Sequence, residues 1–211
     1  MTKDFKTDQE KFWAGNFGDD YASRNMGEKF LASQVAFFTK ILTKTQKISS
    51  VIEFGANIGV NLQAIHELLP EAKLSALEIN ASAVKQIREV VKAEVEIYGH
   101  SILDFKPEPK WDLVFVKGVL IHINPEKLEK VYDILYQSSK RYILLAEYYN
   151  PKPVVIDYRG HKDRLFKRDF CGEIMDKFPD LKLIDYGFAY HRDNNFPQDD
   201  ITWFLLEKNS K

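Results

Sequence analysis

Val51-Ile-Glu-Phe-Gly-Ala-Asn-Ile-Gly59 is the stretch that decides the fold of this chain. Its apolar run predicts a buried strand, and Gly55 and Gly59 predict a tight turn that leads into a helix. Such a turn brings bare backbone close to a ligand at the helix N-terminus, where N–H groups lack partners. A second acid, Glu78, ends the next predicted strand, where a carboxylate can accept two hydrogen bonds from a ribose diol. The pairing indicates a ligand that carries adenosine.

The glycine spacing distinguishes between adenosine-bearing ligands. A dinucleotide-binding turn needs Gly-x-Gly-x-x-Gly, so that a pyrophosphate can reach the helix end. Here Asn57 replaces the middle glycine, and Glu53 lies two residues before Gly55. An acid at that position repels a pyrophosphate but can hold a cationic aminoacyl group, by charge and through water. The pattern resembles the first motif of the class I methyltransferases that use S-adenosylmethionine (SAM), usually Glu/Asp-x-Gly-x-Gly-x-Gly. It implies SAM as cofactor and S-adenosylhomocysteine (SAH) as product.

Size and composition limit the class of protein further. The 211 residues, 45% hydrophobic and 29% charged, are typical of one soluble globular domain. A formal net charge of −1 argues against binding of long nucleic acid by bulk electrostatics. Cys171 is the one cysteine, so we expect no disulfide framework, no metal site and a cytoplasmic location. There is no apolar run long enough to span a membrane and no signal-peptide core at the N-terminus.

Strand and helix patterns alternate through most of the chain. They predict an α/β, Rossmann-like fold with a mostly parallel seven-stranded sheet and helices on both faces. Within a single domain, residues 1–45 would form an N-terminal lid and residues 46–211 the SAM-binding part, with 150–180 an insertion on the substrate side. We expect residues 5–25 to be a poor helix, because Gly15 and Gly18 interrupt it. Strands are predicted near 50–55, 73–79, 94–98, 111–117 and 141–147, with helices near 28–42, 60–69, 81–92, 125–139 and 169–177, and with a closing antiparallel hairpin near 182–190 and 202–207.

The outlets of the predicted strands supply further cofactor candidates. Ser101 and Ile102 follow the third strand and are the expected neighbours of adenine. Asp104 could contact the adenine amine or cap a turn. Lys117 ends the fourth strand, where the chain would pass beneath the methionine moiety of SAM. The predicted cofactor site therefore includes Glu53, Gly55, Asn57, Gly59, Glu78, Ile79, Ser101, Ile102 and Lys117.

Polar residues after the fourth and fifth strands are the candidates for chemistry. His122 would lie at the mouth of the substrate pocket, where a neutral imidazole could take a proton from a hydroxyl or an amine. Its alternative role is to orient the loop. Glu147 and Tyr148 are the other catalytic candidates, and Asn150 is a candidate for orienting the substrate; solvation of the loop is the alternative for all three.

The basic run Tyr158-Arg-Gly-His-Lys-Asp-Arg-Leu-Phe-Lys-Arg168 indicates an anionic substrate. Arginine binds carboxylate or phosphate with two parallel hydrogen bonds. The predicted substrate residues are Tyr158, Arg159, Arg164 and Lys167, together with His191 from the last hairpin. An ordinary solvated face is the alternative interpretation.

The chain also resembles a narrower family, the methylases associated with pseudaminic acid biosynthesis. The resemblance rests on Gln9-Glu-Lys-Phe-Trp-Ala-Gly-Asn-Phe-Gly-Asp-Asp-Tyr-Ala-Ser-Arg-Asn25, Lys117-Gly-Val-Leu-Ile-His-Ile-Asn-Pro125, Ala146-Glu-Tyr-Tyr-Asn150 and Lys167-Arg-Asp-Phe170. It implies that Tyr21 belongs to a lid over the cofactor and that Arg24 lies near the carboxylate of SAM. It sets a nonulosonic acid context without identifying a substrate.

The sequence therefore predicts a methyltransferase that acts on an oxygen or nitrogen of a small, polar, anionic metabolite. The alternatives are a methyltransferase for RNA, tRNA or protein, a non-catalytic SAM-binding protein in a sugar-modification pathway, and an NAD-dependent oxidoreductase. The acceptor molecule and atom, the use of a general base, the pathway and the oligomeric state stay open at this stage.

Overall fold

The computed structural model describes residues 5–22 and 27–209; Arg24 lies outside these ranges. Nine strands are present in them: β1 Ser50–Phe54, β2 Lys73–Leu77, β3 Val95–Tyr98, β4 Trp111–Lys117, β5 Ser139–Glu147, β6 Val154–Tyr158, β7 His161–Lys167, β8 Leu181–Ala189 and β9 Ile201–Lys208. Seven of them form one sheet in the order β3-β2-β1-β4-β5-β9-β8. The first five strands of this order are parallel, β9 is antiparallel to β5, and β8 is antiparallel to β9. The predicted mostly parallel sheet with a closing hairpin is confirmed.

Helices cover both faces of the sheet, as predicted. They are α1 Asp8–Ala14, α2 Asn16–Ala22, α3 Glu28–Leu42, α4 Val60–Leu68, α5 Ala81–Val90, α6 Leu128–Ser138 and α7 Phe170–Lys177. Successive strand residues point to opposite faces, so each central strand contributes to two cores. Val114 and Val116 pack with α6 and α7, whereas Leu113 and Phe115 pack with α3, α4 and α5. Burial on both faces explains why these strands read as nearly continuous apolar runs.

The strand order creates a crevice at the carboxyl ends of β1 and β4. These two strands are neighbours although two other strands lie between them in the chain. The connections after them consequently leave the sheet in opposite directions, and ligands of open α/β sheets bind in the gap between such connections. The motif around Gly55 lies at this position.

The expectation that residues 5–25 form a poor helix is wrong. Two short helices, α1 and α2, occupy the described part of this segment. A capping box starts α1, since the side chains of Thr7 and Glu10 each accept a hydrogen bond from the other residue's backbone N–H. Gly15 ends α1 without preventing α2 from starting. Gly18 lies inside α2, where a Cβ would lie 2.8 Å from Asn80 Nδ2. Close packing therefore explains why this helical position is a glycine.

The insertion at 150–180 contains a β-hairpin that the sequence did not reveal. Strands β6 and β7 pair antiparallel as a separate two-stranded sheet. Arg159 and Gly160 form the turn with φ of 51° and 83°, a conformation suited to two-residue hairpins. The helix predicted near 169–177 is present as α7, capped by the Asp169 side chain. Among the described residues, no helix combines the length and the apolar character needed to cross a membrane.

Candidate active site

A cavity of about 460 Å³ opens at the carboxyl ends of the parallel strands. The turn after β1, the residues after β2 and β3, and the loops after β4 and β5 all contribute to its wall. Helices α1 and α2 close one side, and the loop between β8 and β9 closes another. The volume is within the range of pockets that bind cofactors and small molecules.

The turn after β1 contains three left-handed residues at alternate positions, and two of them line the cavity. Gly55, Asn57 and Gly59 have φ of 79°, 47° and 87°. Asparagine tolerates this region better than most residues, which explains how it replaces a glycine. Gly55 and Asn57 line the cavity, whereas Gly59 does not. A Cβ at Gly59 would lie 2.7 Å from Val91 Cγ2, so this glycine is needed for packing between α4 and the end of α5.

Glu78 is held in place by the same turn. Its two carboxylate oxygens accept hydrogen bonds from the backbone N–H groups of Asn57 and Asn80, both at 2.7 Å. Burial raises the pKa of Glu78, although these amides oppose the rise. Each oxygen keeps a further lone pair, and Glu78 and Ile79 line the cavity. The arrangement leaves the carboxylate able to accept two hydroxyl groups of a ribose.

Glu53 lies beneath the cavity and is fully buried. Asn61 Nδ2 donates to its Oε1 at 2.6 Å, while Oε2 is buried without a hydrogen-bond partner among the described residues. Burial raises the pKa of Glu53 to about 8, with Asn61 and Lys117 opposing the rise. Asn61 and Lys117 line the cavity although Glu53 does not. The acid of the motif therefore acts on the cavity through these two neighbours.

Ser101 and Ile102 line the opposite end of the cavity, where adenine is predicted. Ser101 Oγ accepts a hydrogen bond from the N–H of Leu103 at 3.0 Å and donates to the carboxylate of Glu10 in α1. Helix α1 therefore reaches the predicted adenine end. Asp104 is exposed, pairs with Lys6 and lies outside the cavity lining.

His122 is a buried, neutral imidazole in the cavity wall. Its Nδ1 lies 2.6 Å from the backbone carbonyl oxygen of Arg164. A carbonyl can only accept, so Nδ1 carries the proton and Nε2 keeps its lone pair. Burial lowers the pKa of His122 to about 4 against the effect of this hydrogen bond. The ring centroids of Trp13 and Tyr158 lie 4.5 and 4.9 Å from its own.

Glu147 does not reach the cavity, although the sequence places it among the catalytic candidates. Its Oε1 accepts hydrogen bonds from Val119 N–H at 2.9 Å and Leu120 N–H at 3.0 Å, and its Oε2 accepts from Ile121 N–H at 3.4 Å. These amides belong to a short 3₁₀ turn and have no helical partner of their own. All three hydrogen bonds hold the loop that carries His122 in place. Glu147 is therefore a positioning residue.

Comparison with known proteins supports the fold. No protein-family model matches the sequence, and neither does any curated protein. Magnesium protoporphyrin IX methyltransferase from Synechocystis PCC 6803 with bound SAH is similar in structure, with a TM-score of 0.67, 14% identity and coverage of 96% of this chain and 100% of that chain. The plantazolicin methyltransferase BpumL is also similar, with a TM-score of 0.63, 14% identity and coverage of 95% of this chain and 95% of that chain. For N-methyltransferase NodS from Bradyrhizobium japonicum WM9 the TM-score is 0.64 and the identity 13%, with coverage of 85% of this chain and 98% of that chain.

The chain has the class I SAM-dependent methyltransferase fold. Identities of this size establish the fold alone, so the chemistry has to be argued from the residues of the cavity.

The basic side chains of the run 158–168 that were predicted to bind an anionic substrate lie outside the cavity lining. Of the residues assigned to substrate, Tyr158 and His191 line the cavity, together with Tyr148. The other four lie outside its lining. Arg159 lies over the Tyr158 ring at the hairpin turn, Arg164 over Phe12 and Lys167 over Tyr148, with distances of 5.7, 5.2 and 5.1 Å to the ring centroids, and Asn150 donates to the carbonyl of Lys152 at 2.6 Å. Stacking on aromatic rings and the local turn hold these side chains away from the cavity.

Several lining residues were not among the predicted site residues. Trp13 contacts Tyr21, the predicted lid residue, edge to face at 5.3 Å, and both line the cavity. Asn61 and Asp199 also line it. The aromatic segment around Trp13 marked a lid in the sequence, but Asp199 lies in a polar loop with no local pattern that distinguishes it. The described residues contain no group of three histidine, cysteine or acidic side chains that could hold a metal ion.

Proposed function

We propose that this chain is a SAM-dependent methyltransferase that transfers a methyl group to an oxygen or nitrogen of a small polar molecule. The observation that carries the proposal is the Glu78 carboxylate. It is fixed by the backbone amides of Asn57 in the left-handed turn and of Asn80 before α5, and it faces a cavity of about 460 Å³. A carboxylate in this arrangement suits a ribose diol, and the turn before it lacks the Gly-x-Gly-x-x-Gly spacing that a dinucleotide pyrophosphate needs, which favours SAM over NAD.

The cavity residues fit the parts of SAM in the order in which they occur. Ser101 and Ile102 would contact the adenine, Glu78 the ribose hydroxyls, and the bare backbone at Gly55 the chain that joins ribose to sulfur. Lys117 is half-buried, and its desolvation lowers its pKa while Asp199, Glu53 and Glu147 oppose the change. Its ammonium would bind the carboxylate of the methionine moiety, and Asn61 with Glu53 would hold the amino group.

SAM supplies a methyl group on a positively charged sulfur, and the protein has to position the acceptor in line with it. Trp13 and Tyr21 from α1 and α2 would exclude water from this end of the cavity. The free Nε2 of His122 would accept the proton of an acceptor hydroxyl or amine, because Nδ1 is fixed by the Arg164 carbonyl. Holding the two reactants at contact distance supplies much of the rate.

An acceptor related to a sugar or nonulosonic acid pathway and a cytoplasmic location are parts of the same proposal. The resemblance of the segments around Trp13, His122 and Tyr148 to pseudaminic acid-associated methylases supports the first. A single, buried cysteine, Cys171, agrees with the second. The anionic character expected from the basic run has little support, since Arg159, Arg164 and Lys167 lie outside the cavity lining.

Calorimetric titration with SAH and, separately, with NADH tests the cofactor. We expect saturable SAH binding and none for NADH. Replacing Glu78 by Ala should weaken SAH by about 1–3 kcal/mol through loss of charge-assisted hydrogen bonds. Glu78→Gln, which keeps one acceptor for the turn amides, separates loss of charge from loosening of the turn. Glu89→Ala, an exposed change in α5, is the matched control.

Failure of a well-folded protein to bind SAH would refute the proposal, and NADH binding would place an oxidoreductase first. Methyl transfer from labelled SAM to small-molecule extracts, compared with RNA and protein fractions, then identifies the class of acceptor. Binding of SAH without transfer to any fraction would favour a non-catalytic SAM-binding protein.

A further inference from the structure

Resting on the proposed methyl transfer, we propose that the acceptor is an amine, which enters the cavity as its ammonium. The recognition elements would be the carboxylate of Asp199 and the aromatic faces of Trp13, Tyr148 and Tyr158. This assignment selects nitrogen over oxygen as the acceptor atom and a cationic substrate over an anionic one.

The first support is the charge of the cavity wall. Among the described lining residues the acids are Glu10, Glu78 and Asp199, and the one base apart from histidine is Lys117. Glu10 and Glu78 are engaged at the adenosine end by Ser101 and by the turn amides. Asp199 is therefore the carboxylate left for the acceptor.

The position of Asp199 agrees with this role. It lies just before β9, whose residue Thr202 pairs with Glu147 at the end of β5. Tyr148 follows directly after β5, so Tyr148 and Asp199 approach the cavity from segments next to the ends of adjacent strands. Lys117, at the end of β4, is near enough to Asp199, Glu53 and Glu147 for these acids to oppose the fall in its pKa.

The second support is the aromatic character of the same end. Trp13 lies in the middle of a group of rings, with centroid distances of 5.3 Å to Tyr21, 4.5 Å to His122 and 6.4 Å to Tyr158. Tyr21, Tyr148, Tyr158 and Asp199 all line this cavity. Burial raises the pKa of Tyr148, and Asp199 and the other two phenols raise it further. Ring faces and a carboxylate both attract an ammonium group and do not attract an anion.

The reaction balances with one proton released. The bound ammonium first loses a proton, to His122 Nε2 or to water at the cavity mouth, because a protonated nitrogen has no lone pair for attack. The nitrogen lone pair then forms the new N–C bond, and the electrons of the C–S bond move to sulfur. The products are the methylammonium and neutral SAH. The proton taken by His122 passes to water, which the low pKa of that imidazole favours.

Three probes of nearly identical shape test the charge preference. Choline is the cation, 3,3-dimethylbutan-1-ol is its neutral isostere, and 3,3-dimethylbutyrate is the anion. Their affinities for the SAH-loaded protein can be measured by saturation-transfer NMR. We expect choline to bind about tenfold or more tightly than the alcohol, as befits a cation among rings and a carboxylate, and the butyrate to bind least.

Two variants locate the preference. Asp199→Asn should reduce the ratio of choline to alcohol affinity severalfold in the SAH-loaded protein. Asp157→Asn makes the same change of charge on the exposed strand β6, outside the cavity lining, and should leave the ratio as in the wild type.

Equal binding of choline and the alcohol, preference for the butyrate, or an unchanged ratio in Asp199→Asn would each overturn the amine proposal. Titration with SAH alone reports on the cofactor. Loss of SAH binding would therefore refute the proposed function, whereas SAH binding without a cation preference would refute only the acceptor assignment.

Discussion

Replacing Glu53 by Gln tests the electrostatics beneath the cavity. The carboxyl group is fully buried, it accepts a hydrogen bond from Asn61 Nδ2 at 2.6 Å, and its second oxygen is unpaired among the described residues. A glutamine keeps the size of the side chain and the acceptor for Asn61. It removes the ability to ionise. The variant therefore isolates the free energy of burying a charge at this position.

The sign of the effect follows from the raised pKa. Burial raises the pKa of Glu53 from 4.5 to about 8. Between these two values the folded protein holds a proton that the unfolded chain has lost, so the free energy of unfolding falls as pH rises. The contribution is fully present below the lower value and is lost as pH passes the higher one. At 1.36 kcal/mol for each unit of pKa, the loss between about pH 5 and pH 9 is about 4 kcal/mol.

Urea unfolding of the wild type and of Glu53→Gln at pH 5, 7 and 9, without ligand, measures this term. The variant should gain stability relative to the wild type by about 4 kcal/mol across the range. The other ionisable groups are common to both proteins, so the difference reports on Glu53 together with its effect on Lys117. If the free energy of unfolding fell equally with pH in the wild type and in Glu53→Gln, Glu53 would not be held neutral and the reasoning would be refuted.

The same proton should appear in cofactor binding. At pH 7 a carboxyl group with a pKa of about 8 is mostly protonated, and a bound ammonium nearby favours its ionised form. SAH binding should therefore release up to one proton from the wild type and fewer from Glu53→Gln. Calorimetry in buffers of different ionisation enthalpy measures the number. If both proteins released the same number of protons on SAH binding, Glu53 would not interact with the aminoacyl group of the cofactor.

Three further predictions concern the loops. Glu147→Ala should destabilise the protein by about 3 kcal/mol in urea unfolding, because three buried loop amides lose their acceptor; a change below about 1 kcal/mol would contradict this role. Gly59→Ala should lower the free energy of unfolding by about 1–3 kcal/mol more than Gly160→Ala does. Both glycines have positive φ, but only a Cβ at Gly59 would press against Val91. Equal losses of stability in the two variants would contradict the packing argument. Because the pKa of His122 is lowered to about 4, the methyl-transfer rate should show no His122 limb between pH 6 and 8, and a limb near pH 6.5 that disappears in His122→Asn would refute the assignment.

The sheet could be predicted from the sequence because its signals are local. Strands buried on both faces read as apolar runs, and turns and caps mark their ends. Glu78 was also predictable, since its distance from the Gly55 turn and its place after a strand fix its position in the sheet. The hairpin of β6 and β7 was missed because charged side chains conceal its alternation around Arg159 and Gly160.

The acceptor end of the cavity could not be predicted in the same way. Asp199 reaches it because β9 pairs with β5, a contact between residues far apart in the sequence. Arg164 and Lys167 suggested an anion site, yet each side chain stacks on an aromatic ring whose position depends on tertiary packing. Residue type identifies what a side chain can bind, and packing decides whether it reaches the cavity.

Three glutamates show how neighbouring loops assign different roles to the same residue. Glu53, Glu78 and Glu147 lie at or just beyond the carboxyl ends of β1, β2 and β5, and all are buried. A side-chain amide contacts the first, so its charge can change when a cation binds. Two backbone amides fix the second with lone pairs still directed at the cavity. Three loop amides engage the third, which leaves it outside the cavity lining. The donors that each loop supplies, rather than the acid itself, determine which glutamate can meet a ligand.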